Sequence, residues 1–148
     1  SIVIPEKIKA INSHTFLNCT GLEDVTLPEG LTTIYSYAFE GCLFEEIDIP
    51  DSVTTMSGKA FLNCTKLFKV GYPKNWTITL NEDNNNNSNY TYSPFYGCTS
   101  LAYITVPEGA TTVPPYAFEG CTSLKSVILS DTVVSISVDA FNSLQPLL

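Results

Sequence analysis

The chain contains Ala117-Phe118-Glu119-Gly120-Cys121-Thr122-Ser123-Leu124, and the same spacing of residue types recurs from end to end. Phenylalanine returns at Phe16, Phe39, Phe61, Phe95, Phe118 and Phe141, at intervals of 23, 22, 34, 23 and 23 residues. Cysteine follows three residues later at Cys19, Cys42, Cys64, Cys98 and Cys121, and Leu144 takes its place in the sixth copy. Leucine comes three residues later again at Leu22, Leu67, Leu101, Leu124 and Leu147, with Phe44 in the copy that is one residue short. A fixed period near 23 residues is the signature of a solenoid.

Working outward from this block, an alternating apolar pair comes next. It reads Val25 and Leu27, Ile47 and Ile49, Val70 and Tyr72, Ile104 and Val106, Val127 and Leu129, with Ile2 and Ile4 at the start. Alternation suits a short strand with one buried face. Proline then ends the strand at Pro5, Pro28, Pro50, Pro73 and Pro107, because it has no N–H to donate. A second apolar set follows, such as Leu31 and Ile34 or Val53 and Met56. Residues 36–40 suit about one helical turn. The column after that turn reads Asn18, Gly41, Asn63, Gly97, Gly120 and Ser143; Gly and Asn tolerate a left-handed backbone. The column before the phenylalanines is mostly alanine, which implies close approach between coils. One such unit cannot bury its apolar face alone, so neighbouring units must stack. The expectation is a short solenoid with one parallel sheet.

These motifs, and Leu27-Pro28-Glu29-Gly30-Leu31-Thr32-Thr33-Ile34 with them, resemble BspA-type leucine-rich repeats. The resemblance covers the whole chain apart from an insertion. It implies an α/β, right-handed leucine-rich-repeat solenoid of about six coils. Parallel strands would line its concave face, with short helical turns and loops on its convex face. It also implies bacterial cell-surface or extracellular proteins that adhere to host matrix proteins, glycans or other cells. It supplies no catalytic motif and no fixed ligand residues.

Composition narrows the partners. The 148 residues carry seven lysines, no arginine and a net charge of −8. Phosphate recognition needs basic clusters, so nucleic acid and anionic membrane surfaces are poor partners. No run of about 18 apolar residues is present, so no membrane insertion is expected. Residues 1–148 read as a single repeat domain with an insertion at about 81–91. The apolar ends read as those of a fragment of a longer multi-domain protein, or as faces for end-to-end self-association.

The chemistry-bearing residues point away from catalysis. Five cysteines cannot all pair within one chain. Their wide spacing does not suit structural zinc, and free cysteine behaves as a small buried hydrophobe. His14 is the only histidine, and Cys19, the nearest repeat cysteine, is expected to point inward. Adjacent carboxylates, Glu23-Asp24 and Glu45-Glu46, point to opposite faces of a strand, unlike the paired acids of a glycosidase. No enzyme activity, cofactor or metal is expected.

Ligand binding has three candidate places. Outward columns on the strand face read Asp24, Glu46, Lys69, Tyr103, Ser126 and Thr26, Asp48, Gly71, Thr105, Ile128. Of these, Asp24, Thr26, Glu46, Asp48, Lys69, Tyr103 and Thr105 are the candidate ligand residues. Tyr90 and Tyr92 flank the asparagine-rich insertion and offer a second surface. The column after the prolines, Glu6, Glu29, Asp51, Lys74, Glu108 and Asp131, reads as turn chemistry, with a calcium-binding edge as the alternative. Glycosylation sequons stand at Asn18, Asn63, Asn75, Asn86 and Asn89. The functional expectation is a non-catalytic adhesion or recognition module for a protein or glycan. A structural spacer and a substrate-docking module of a secreted hydrolase are the alternatives.

Overall fold

The structure, a computed structural model, describes residues 1–80 and 93–142. Twelve short strands follow one another among them: β1 (Ile2–Val3), β2 (Ala10–Ile11), β3 (Val25–Thr26), β4 (Thr33–Ile34), β5 (Glu46–Asp48), β6 (Thr55–Ser57), β7 (Lys69–Gly71), β8 (Ile78–Leu80), β9 (Tyr103–Val106), β10 (Thr112–Val113), β11 (Ser126–Leu129) and β12 (Ser135–Ile136). Every pairing is parallel. The chain therefore carries two strand ladders, where the sequence pattern implies one sheet. Odd strands pair as β1–β3, β5–β7 and β9–β11; even strands pair as β2–β4–β6–β8 and β10–β12. The second apolar set builds the even ladder. Its short strands give little alternation to read.

Proline makes the corner between the ladders. The Pro28, Pro50 and Pro73 carbonyls each accept the N–H three residues on, from Leu31, Val53 and Trp76, at 3.0–3.1 Å. Both ladders face one core. Ile47, Ile49, Ile104 and Val106 enter it from the odd strands, and Ile34, Met56 and Val113 from the even ones.

The third side of each coil is the phenylalanine turn. The six rings stack in one column with centroids 5.0–6.0 Å apart and planes within 15° of parallel. Phe61 and Phe95 keep the 5.0 Å contact although 34 residues separate them. Phe44 meets Phe39 and Phe61 edge-on, and Trp76 meets Phe95 and Phe118 edge-on. Such offset and edge contacts suit the aromatic quadrupole. Trp76 takes the place that Leu31 and Val53 hold in earlier coils. Ala110 holds that place in the next coil, so a large residue is followed by a small one.

The expected helical turn is absent, and no helix occurs among the described residues. The α/β class is corrected accordingly: this is a parallel β-solenoid whose third side is built of turns. The reason lies in the backbone. Tyr37 sits at φ 63° and Gly41 at φ 72°, so a right-handed helix cannot run through them. Alternate N–H groups leave the coil altogether. Tyr37, Phe39 and Gly41 donate to the carbonyls of Lys59, Ala60 and Leu62 in the next coil at 2.9–3.0 Å. The N–H groups between them close local turns, as Glu40 does onto Tyr37 at 3.2 Å.

Two columns are left-handed. One is the expected Asn18, Gly41, Asn63, Gly97 and Gly120; Ser143 lies outside the described residues. The other, His14, Tyr37, Lys59, Tyr116 and Asp139, carries no glycine and gives no sequence signal. Over the first four positions of that column, Asn and Gly alternate for a steric reason. The Asn18 side chain lies where a Cβ on Gly41 would stand, and Asn63 does the same over Gly97.

Phe61→Ala is expected to lower unfolding stability by about 3–5 kcal/mol, because its ring is stacked on both sides. Phe16→Ala should cost less, since its ring is half-buried and meets only Phe39 within the column. Urea unfolding midpoints of the two variants check the order.

Candidate functional site

The odd strands present one face to the core and one outward. In β5, Ile47 is buried while Glu46 and Asp48 are exposed. The register sets Glu46 beside Lys69 and Asp48 beside Gly71, Tyr103 beside Ser126, and Thr105 beside Ile128. Val3 stands beside Thr26 at the start of the face. Strands β3 and β5 are in contact, as are β7 and β9, so the outward columns run on from pair to pair.

Asp24, Thr26, Glu46, Asp48, Lys69, Tyr103 and Thr105 are all exposed. The structure brings the first four together. Two shallow clefts of about 440 and 460 Å³ open side by side, and both are lined by Asp24 and Glu46. Glu23, Glu45 and Lys66 edge the first; Thr26, Glu29 and Asp48 edge the second. Gly71 helps to place Asp48, because a Cβ there would meet Asp48 Oδ1 at 2.5 Å. Lys69 marks the end of this acidic half. Tyr103, 65% exposed, and Ile128, 62% exposed, give the other half an apolar and aromatic character. Tyr90 and Tyr92 lie outside the described residues.

The cysteines have a role that spacing alone does not show. Cys42, Cys64, Cys98 and Cys121 lie in the core. Each thiol points at the carbonyl of the phenylalanine one coil earlier: Phe16, Phe39, Phe61 and Phe95, at 3.1–3.4 Å. The column thus holds a small hydrophobe that also donates a weak hydrogen bond. Burial pushes the thiols of Cys42 and Cys121 up to about 12. A hydrogen bond with Cys64, together with burial, raises Cys98 well above the ordinary thiol range. Nucleophiles need the thiolate, so these sulfurs are placed to pack and donate.

His14 stacks on the Tyr37 ring with centroids 4.9 Å apart, and Lys59 Nζ lies 5.7 Å from the centroid of the same ring. In the column after the prolines, Asp51 Oδ1 accepts the Lys74 N–H of the next coil at 3.0 Å. Its ion pair with Lys74 Nζ, at 3.9 Å, is exposed and contributes little. Among the described residues, no group of three or more His, Cys, Asp or Glu side chains gathers to hold a metal ion. Glu119, which sequence reading passed over, is buried and accepts the N–H of Ser93 at 3.3 Å. Burial raises its carboxyl above the usual range. It ties down the first described residue after the insertion.

A family model described as a BspA type leucine rich repeat region matches residues 1–91 and 88–147, in six copies. The chain belongs to the BspA-type leucine-rich repeat family. Among solved structures, a leucine rich repeat protein of T. pallidum (TpLRR) is 28% identical, with a TM-score of 0.68 over 90% of this chain. The chain spans 58% of that protein's length. A leucine rich cell surface protein from Faecalibacterium prausnitzii A2-165 is also 28% identical, covering 76% of this chain and 34% of its own, with a TM-score of 0.42. A leucine-rich repeat protein from Bacteroides ovatus is 19% identical, covering 95% of this chain and 63% of its own, with a TM-score of 0.32. No curated protein matches the chain. Membership of this repeat family suggests a protein-interaction or surface module.

The thiols give a direct check. In the native protein, only half-buried Cys19 should react rapidly with an alkylating reagent, and all five should react in denaturant. The folded state holds the Cys42 and Cys121 protons more tightly than the unfolded chain does. Their contribution to stability is therefore complete below about pH 9 and lost as the pH rises toward about 12. Melting temperatures across that range should fall, and should fall less in a Cys42→Ala variant relative to its own pH 8 value.

Proposed function

We propose that this chain is a non-catalytic recognition module of a cell-surface or extracellular protein, and that it holds a protein ligand against the outward face of the odd-strand ladder. The observation that carries this reading is the two-part character of that face. Its first half clusters Asp24, Glu46 and Asp48 around two clefts, and its second half exposes Tyr103 and Ile128. A partner surface with a basic patch beside an apolar one is complementary to it. Acidic side chains steer such a partner and set its register, while an exposed aromatic supplies the contact area that dominates affinity. Membership of the BspA-type family supports a surface-borne interaction module. The constant frame of stacked phenylalanines leaves the outward positions free to vary with the ligand.

The test is a binding screen of the purified chain against immobilised host matrix proteins and a glycan array. Asp24→Lys with Glu46→Lys should weaken a protein ligand by about tenfold or more, and Tyr103→Ala by about tenfold, which is about 1.4 kcal/mol. Neither change should move the melting temperature by much, because all three side chains are exposed. Binding that survives all three changes places the ligand elsewhere. Binding confined to glycans contradicts the protein-ligand reading, and silence on every surface favours a spacer.

A further inference from the structure

One coil is a residue short, and the odd-strand ladder opens beside it. In the other copies two residues separate the repeat cysteine from the next leucine. There the leucine N–H closes a turn onto the cysteine carbonyl: Leu22 onto Cys19, Leu67 onto Cys64, Leu101 onto Cys98 and Leu124 onto Cys121, at 3.1–3.2 Å. In the second coil Leu43 alone stands between Cys42 and Phe44. Among the described residues, that coil has no such bond.

The strand that follows the short turn, β5, pairs with β7 and not with β3. Among the described residues the odd ladder is interrupted otherwise only between β7 and β9, where the 34-residue interval lies. The backbone bonds of β3 go to β1: Ile2 and Ile4 donate to the Asp24 and Thr26 carbonyls at 2.9 and 3.0 Å. Those around β5 go to β7: Phe68 donates to the Glu45 carbonyl at 2.9 Å, and Ile49 to that of Gly71 at 3.1 Å. The facing edges of β3 and β5 are left without ladder partners. The same two coils stay joined on their other sides, where β4 pairs with β6 and Phe16 donates to Ala38 at 2.7 Å.

The two clefts around Asp24 and Glu46 lie along this opening. Leu22, Leu43 and Phe44 give the first an apolar part, and Lys66 is the one cation lining either. The opening, more than the charge, sets the occupant. Carboxylates and backbone acceptors on two walls call for donors spread in a plane, and the apolar part calls for an aliphatic stem. Arginine supplies both, as a flat fork of N–H groups that stays charged on a chain of methylenes. A lysine ammonium is a compact, strongly hydrated point charge and bridges two walls less well.

We infer that the opening between β3 and β5 takes an arginine side chain of the protein ligand, with its stem along Leu22 and Leu43 and its guanidinium between Asp24 and Glu46, a reading that rests on the recognition role proposed above.

NMR titration of the isotope-labelled chain with the peptide acetyl-Gly-Arg-Gly-amide tests this, with the lysine and citrulline peptides as controls. Amide shifts should concentrate at Val25, Leu43, Phe44 and Glu46. The lysine peptide should bind more weakly, and the citrulline peptide should leave these amides unmoved. Inserting a threonine between Cys42 and Leu43 restores the common turn length. Leu43→Trp fills the cleft instead, should circular dichroism show that the insertion does not fold. Each variant keeps every carboxylate and should weaken the arginine peptide by about tenfold or more. Shifts that are absent, that fall elsewhere, that appear equally with citrulline or that persist unchanged in a folded, filled variant overturn the inference. A protein ligand from the binding screen separates it from the reading beneath it. A ligand lost in Tyr103→Ala but kept by the filled variant overturns the arginine cleft alone, and a ligand kept by both overturns the two together.

Discussion

Three kinds of coil-to-coil contact converge on one residue, the repeat phenylalanine. The Phe39 N–H donates to Ala60 of the next coil at 2.9 Å. Its ring lies between Phe16 and Phe61, at 5.2 and 5.1 Å. Its carbonyl accepts the Cys42 N–H of its own coil and the Cys64 thiol of the next. A backbone donor, a backbone acceptor and the largest repeating apolar surface are thus used at one position. A buried carbonyl left short of partners costs free energy, which accounts for cysteine rather than leucine three residues on. The left-handed residues on either side follow from the same constraint. They turn alternate N–H groups out of the coil so that the phenylalanine bond can form.

That frame separates stability from recognition. The core columns and the turn ladder are occupied with holding coils together, and the outward columns of the odd strands are not. Replacing Glu46 by Lys69, and later by Tyr103, changes the face without touching Ile47, Val70 or Ile104 beneath it. Across the 34-residue interval between them, Phe61 and Phe95 stay in ring contact. Trp76 fills the core there, edge-on to Phe95 and Phe118.

The period of the phenylalanines, the alternation in Val25-Thr26-Leu27 and the prolines made the solenoid and its odd-strand ladder legible. The Asn and Gly column also disclosed its left-handed backbone, because few other residues adopt it at low cost. The helical reading of residues 36–40 failed because propensity is local and the bonds there are not. Nothing in Ser36-Tyr37-Ala38 announces that Tyr37 is left-handed or that its N–H belongs to Lys59. The even ladder was hidden by strands of two or three residues, too short for a period. Outward positions of the candidate site could be assigned from alternation, and the structure places them on the surface. The clefts around Asp24 and Glu46 depend on three-dimensional shape, which alternation does not encode.

The central claim is that the phenylalanine turn couples the coils into one cooperative unit. Amide hydrogen exchange followed residue by residue tests it most directly. The amides of Phe39, Phe61 and Phe118 should exchange only through global unfolding, with protection equal to that of buried strand residues such as Ile47 and Ile104. Exchange at those three amides as fast as in the exposed turn after each proline would contradict the account, and would leave the strand ladders as the sole source of cohesion.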